Sequence, residues 1–196
     1  MDHQEYLNAD NNRNHTTRRK STRFIARVAL MAVVIMVCSL IRIPVGPVPI
    51  TLQTFGVLLA GILLDLAESF FSVLLHLVLK IIIGGWAVVI SPSFGFVLVF
   101  VVAAPLLSLL TARTQGRLRP MMIHIVLVSV LIYVVGLFYM MGMLRLYTGE
   151  AQSFSQALTY GVLIFIPGDI AKAALACLVG YKLYPLFSSS AARINA

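Results

Sequence analysis

The chain is predicted to be an all-α integral membrane protein built as a bundle of six transmembrane helices. Composition, run length and patterning carry that prediction. Of its 196 residues 60% are hydrophobic and 11% charged, with a mean hydropathy of +0.95; an ordinary soluble domain has about a quarter charged residues. Several apolar runs reach the roughly 17–25 residues that cross about 30 Å of hydrocarbon. None alternates apolar and polar positions as a membrane β-barrel would.

The elements follow in order. Residues 1–23 are polar and basic and are expected to form a disordered cytoplasmic arm. The first span, 24–41, is too long for a secretory signal and lacks a small-residue cleavage site, so it is expected to be retained. The run IPVGPVPITLQTFGVLLAG (43–61) ends it with Pro44, Pro47 and Pro49. Proline fixes φ and lacks a backbone donor, so neither flanking helix can continue through this stiff external loop. The second span, 51–64, is short, and a break at 65–68 leads to the third, 70–83. GGWAVVISPSFG (84–95) is an interrupted stretch before the fourth span, 96–112. The basic loop TARTQGRLRP precedes the fifth, 121–144, and the polar RLYTGEAQSFSQ precedes the sixth, 157–183. The membrane domain is thus read as 24–186, with 187–196 as a cytoplasmic tail. No internal repeat is evident.

The net charge of +8 is distributed as a topology signal and argues against nucleic-acid binding. Arg13, Arg18, Arg19, Lys20, Arg23 and Arg27 crowd the start, and Arg113, Arg117 and Arg119 fill one loop. With both termini cytoplasmic, Lys182 and Arg193 join them inside, and only Arg42 and Arg145 fall outside. Such clusters also anchor anionic membrane lipid. Cys38 and Cys177 lie within apolar runs and read as small buried hydrophobes, not metal ligands or a disulfide.

Ionisable residues inside a membrane mark functional sites by default. In FIPGDIAKAALACLVG, Asp169 and Lys172 are three residues apart and share a helix face. Pro167 suits a first helical turn, where the Asp169 carboxylate is favoured. The pair is either a self-neutralising ion pair beside a kink, or the charged wall of a cavity for a small amide-bearing acid. Gln53 needs partners if buried, Thr54 stands beside it, and Thr51 either joins them or caps the second span. Lys80 is either buried or snorkels to the outer interface, and snorkelling is the preferred reading. Trp86 is either a lid over a ligand or part of the interfacial aromatic belt, with the belt as default. His76 and His124 read as structural. Ala26, Ala29 and Ala32 recur every third position and offer a flat strip, either for packing within the bundle or for a partner subunit.

The run IPVGPVPITLQTFGVLLAG and the run FIPGDIAKAALACL resemble the two signatures of the BioY family, the biotin-binding S components of energy-coupling factor (ECF) transporters. The resemblance covers residues 24–186. It implies a six-helix bundle of S-component type in the bacterial inner membrane, with biotin bound beneath the first external loop. Asp169 and Lys172 match the motif positions that hold biotin, with Gln53, Thr54 and Trp86 as further candidates. The resemblance also implies docking, through the alanine strip, onto a transmembrane coupling subunit bound to two ATPases. The chain departs from the family in having SPSFGF (91–96) for a longer glycine-rich loop, Lys80 among usually small residues, and the acidic DLAES where arginine is usual. No cofactor or metal is implied. The chain contains no GxxxxGK[ST] loop, so ATP use belongs to partners. No paired base and nucleophile appears in the spans, which argues against an intramembrane enzyme. A stand-alone biotin facilitator, or an S component for a related vitamin, is the alternative.

Overall fold

The apolar runs become helices, and the proline segment becomes a hairpin between the first two. The computed structural model describes residues 3–44, 48–148 and 153–192. Helix α1 (His3–Leu40) leads into a two-stranded antiparallel ladder, β1 (Arg42–Ile43) with β2 (Ile50–Thr51), in the register Arg42↔Thr51 and Ile43↔Ile50. There follow α2 (Gln53–Leu63), α3 (Leu66–Gly84), the short α4 (Trp86–Val89), α5 (Phe94–Arg113) and α6 (Leu118–Thr148). The last part of the chain comprises α7 (Phe154–Leu158), a π-helical turn (Thr159–Leu163) and α8 (Ile166–Ala192). The stretch expected as a disordered arm is helical from His3 onward and continuous with the first span. Part of the expected tail is likewise helical, as the end of α8.

Among the described residues, five helical stretches are long and apolar enough to cross a membrane, counting Phe154–Phe187 as one. The second expected span, 51–64, is α2, which has 11 residues and so rises about 16 Å, roughly half the hydrocarbon thickness. It is instead a core helix. Val57, Ala60 and Ile62 are almost wholly buried, against Ile35 of α1, Leu107 of α5 and Ala176 and Cys177 of α8. At Gly61 an added Cβ would lie 2.8 Å from both the Ala104 carbonyl oxygen and the Leu107 Cβ. Backbones that close leave no room for a side chain, the usual way helices approach inside a bilayer.

A helix that stops inside the membrane leaves its last carbonyls without intrahelical donors. Ser108 of α5 resolves part of this: its buried hydroxyl donates to the Leu64 carbonyl at 2.7 Å. The chain then turns at Asp65, whose carboxylate accepts from the Glu68 N–H at 2.8 Å while Glu68 reaches back to the Asp65 N–H. This reciprocal cap explains the expected break at 65–68. Glu68, almost fully buried, is paired with Arg27 of α1 at 3.3 Å, and Arg27 also lies over the Phe187 ring of α8.

Outward faces are strongly apolar. Val33, Val102, Val126, Phe138 and Leu178 are each at least half exposed, and an ordinary water-soluble protein does not expose so many large apolar side chains. Lipid is the solvent that satisfies them. Cys38 and Cys177 are free and buried.

Candidate functional site

The hairpin, the stretch leading into α5 and the start of α8 gather around one cavity. Its unfilled space is about 570 Å³, a figure that includes the mouth open to solvent. Val48 and Pro49 cover it from the hairpin, and Phe96, Val97, Phe100 and Ile132 form apolar walls. Polar groups reach it from several elements: Thr51 of β2, Gln53 and Thr54 of α2, Lys80 of α3, Ser93 before α5, Tyr133 of α6, and Asp169 with Lys172 of α8.

Local sequence explains how α8 delivers its pair. The π turn at Thr159–Leu163 breaks the preceding helix, and π turns occur frequently at functional sites. Helix α8 restarts at Ile166, so Asp169 falls in its first turn, where the helix dipole favours a carboxylate. Lys172 follows on the same face and is ion-paired with Asp169. Lys172 Nζ also donates to the Thr51 carbonyl at 2.9 Å, fastening the hairpin strand to α8. The other oxygen of Asp169, Oδ2, accepts from the Tyr133 hydroxyl. The pair shows features of both readings: its two members neutralise each other, and both line the space, with Lys172 buried.

Gln53 is buried and finds the partners its amide requires. Its Oε1 accepts from Lys80 Nζ at 2.8 Å, and its Nε2 lies 3.0 Å from His76 Nε2. Lysine has only donors, so the amide oxygen must face Lys80 and the N–H2 must face His76. His76 Nε2 is therefore the acceptor, and the neutral ring carries its proton on Nδ1. Nδ1 is buried without a hydrogen-bond partner. His76 thus fixes Gln53 and does not itself line the cavity. Lys80 does not snorkel: it bends inward onto Gln53 and lines the cavity. The reason is the rotation of α3, which turns Glu68, Ser72, His76 and Lys80, spaced by four, toward the bundle interior.

The remaining expected residues divide. Thr54 and Pro49 line the cavity; Pro44 leaves strand β1 and is exposed; Pro47 lies outside the described residues. Trp86 is 80% exposed on α4 and does not line the cavity, a position that suits the aromatic belt. The alanine strip splits: Ala32 is fully buried, whereas Ala26 and Ala29 face outward. Tyr133 is the contributor that sequence reading passed over, because a single tyrosine in an apolar run carries no spacing signal. Lys80 did carry one, the four-residue polar stripe of α3.

The sequence profile of the BioY family matches residues 10–189. The chain belongs to the BioY family. The biotin transporter BioY2 of Lactococcus lactis subsp. cremoris (strain MG1363) is 34% identical over 164 residues, 80% of this chain and 87% of that protein. The biotin transporter BioY of Rhizobium etli (strain ATCC 51251 / DSM 11541 / JCM 21823 / NBRC 15573 / CFN 42) is 32% identical over 187 residues, 87% of this chain and all of that protein. The fold is that of a solved crystal structure, the S-component for biotin from an ECF-type ABC transporter. The TM-score is 0.73 at 22% identity, covering 86% of this chain and 97% of that one. BioY is a family of transporters, not enzymes, and its apolar helices make this member a multi-pass membrane protein.

Proposed function

We propose that this chain captures biotin and serves its uptake as the substrate-binding subunit of an ECF importer in the bacterial cell membrane. Both termini face the cytoplasm and the hairpin faces out, as the distribution of Lys and Arg requires. The observation that carries the reading is the Asp169–Lys172 pair, held by Tyr133 and the Thr51 carbonyl at one wall of a cavity that also has apolar walls. Biotin combines a ureido ring with two N–H donors, an apolar bicycle and an acid chain. A carboxylate accepts the donors, a lysine N–H meets the ureido carbonyl, and aromatic and aliphatic walls take the rest. Gln53 and Thr54 complete the polar rim. A transmembrane coupling subunit with two ATPases supplies the energy, and outward-facing Ala26 and Ala29 of α1 belong to its docking face.

The test is biotin titration of detergent-purified protein. The wild type is expected to bind saturably, Asp169→Asn and Lys172→Ala to lose binding, and the intact transporter to co-purify with a coupling subunit and two ATPases. Folded wild-type protein with no saturable biotin binding would overturn the proposal. Uptake in cells lacking every coupling subunit would leave capture standing but remove the importer assignment.

A further inference from the structure

We infer that Lys80 receives the acid group of the ligand, making the cavity selective for a carboxylate over the corresponding neutral amide. The inference rests on the biotin reading and assigns one end of the ligand to a residue outside the Asp169–Lys172 pair. The first ground is charge. Lys80, Asp169 and Lys172 are the charged residues that line the cavity. Asp169 and Lys172 cancel in their ion pair, so one positive charge is left, and it sits on α3, not α8.

The second ground is donor use. An ammonium has three N–H donors and no acceptor. Lys172 engages Asp169 and the Thr51 carbonyl. Lys80, among the described residues, has one hydrogen-bond partner, the neutral Gln53 oxygen. A cation taken from water and left with one amide is costly in a low-dielectric site unless a counter-charge arrives. An incoming carboxylate provides that charge and accepts the remaining donors.

The third ground is fixation. Gln53 is 2% exposed and is clamped from behind by His76 at 3.0 Å. Lys80 is therefore held toward the cavity and does not sweep to the interface. A ligand with two polar ends then finds a partner for each, its uncharged polar ring at Asp169 and Lys172 and its acid at Lys80.

The experiment compares biotin with biotinamide, the same molecule with its carboxylate replaced by a carboxamide, by calorimetry on full-length protein in detergent. Wild-type protein is expected to prefer the acid by about tenfold or more, the scale of a hydrogen bond to a charged partner. Lys80→Met should weaken biotin alone and bring the two ligands within about threefold, a loss on the same scale. Lys80→Arg should keep the preference. A wild type that binds both ligands equally overturns the assignment while biotin capture stands, and so does Lys80→Met weakening both ligands alike. If Lys80→Met does not fold, the wild-type ratio decides alone: a ratio near one overturns the assignment. No saturable binding of either ligand overturns the biotin reading and this inference with it.

Discussion

Replacing Gln53 by leucine tests whether the buried chain Lys80–Gln53–His76 holds the bundle together as well as shaping the cavity. Leucine fills similar space but removes two hydrogen bonds, to Lys80 Nζ at 2.8 Å and to His76 at 3.0 Å. Bonds between membrane helices average only about 0.6 kcal/mol, because the unfolded chain in lipid finds other partners. That value suits the neutral His76 contact. The Lys80 bond is charge-assisted and is worth about 1.5–3 kcal/mol. The sum is about 3 kcal/mol, which for a chain of this length lowers Tm by roughly 6–12 °C. The two buried thiols, Cys38 and Cys177, give a direct readout: a thiol-reactive dye gains signal as purified protein unfolds in detergent. In a Lys80→Met background the charge-assisted bond is already gone, so Gln53→Leu should then cost about 1 kcal/mol or less. A shift under about 2 °C in the wild-type background, or an undiminished shift beside Lys80→Met, would refute the reasoning.

Three further outcomes are expected. Tyr133→Phe removes the hydroxyl that holds Asp169 and should weaken biotin about tenfold with little change in Tm; equal loss of Tm and affinity would make Tyr133 merely structural. Ser108→Ala leaves the buried Leu64 carbonyl without its donor, costing about 1–2 kcal/mol and lowering Tm by a few degrees in the dye assay while ligand affinity holds. Gly61→Leu forces a side chain against Ala104 and Leu107 and should sharply reduce the yield of monodisperse protein in size-exclusion chromatography. Gly142→Ala, whose added Cβ meets nothing within 4 Å, is the matched control.

The class of the molecule and its α8 pair were legible because they depend on signals local in sequence. Run length sets the spans, and the three-residue offset puts Asp169 and Lys172 on one face whatever surrounds them. The short length of α2 and the break after it were legible, but its place as a core helix was not: that depends on the Asp65–Glu68 cap and on Ser108 from α5. Nor could the direction of Lys80 be read from α3 alone: its stem is long enough to reach the interface or the cavity, and the packing of Ser72 and His76 against the bundle decides. The connection between α1 and α2 falls where the prolines end the first helix, and its flanking residues pair as β1 and β2. Its strand pairing escaped notice because strands of two residues, Arg42–Ile43 and Ile50–Thr51, are too short to show alternation. Tyr133 illustrates the remaining limit: its importance is conferred wholly by Asp169, which lies 36 positions away.

Helix α2 also constrains how the chain enters a bilayer. At about half the required length, it cannot be threaded and released as an independent span. The donor for its terminal carbonyl comes from Ser108, 44 positions after Leu64. Until α5 arrives, that carbonyl faces hydrocarbon or draws water, and the polar stripe of α3 has no finished interior to face. Insertion of this protein is therefore not a sequence of separate crossings. Helices α2 and α3 must wait at the membrane together, as an unsettled unit, for a helix synthesised later to complete them. A nascent chain stopped before residue 94 is the one on which the insertion machinery or a chaperone should linger.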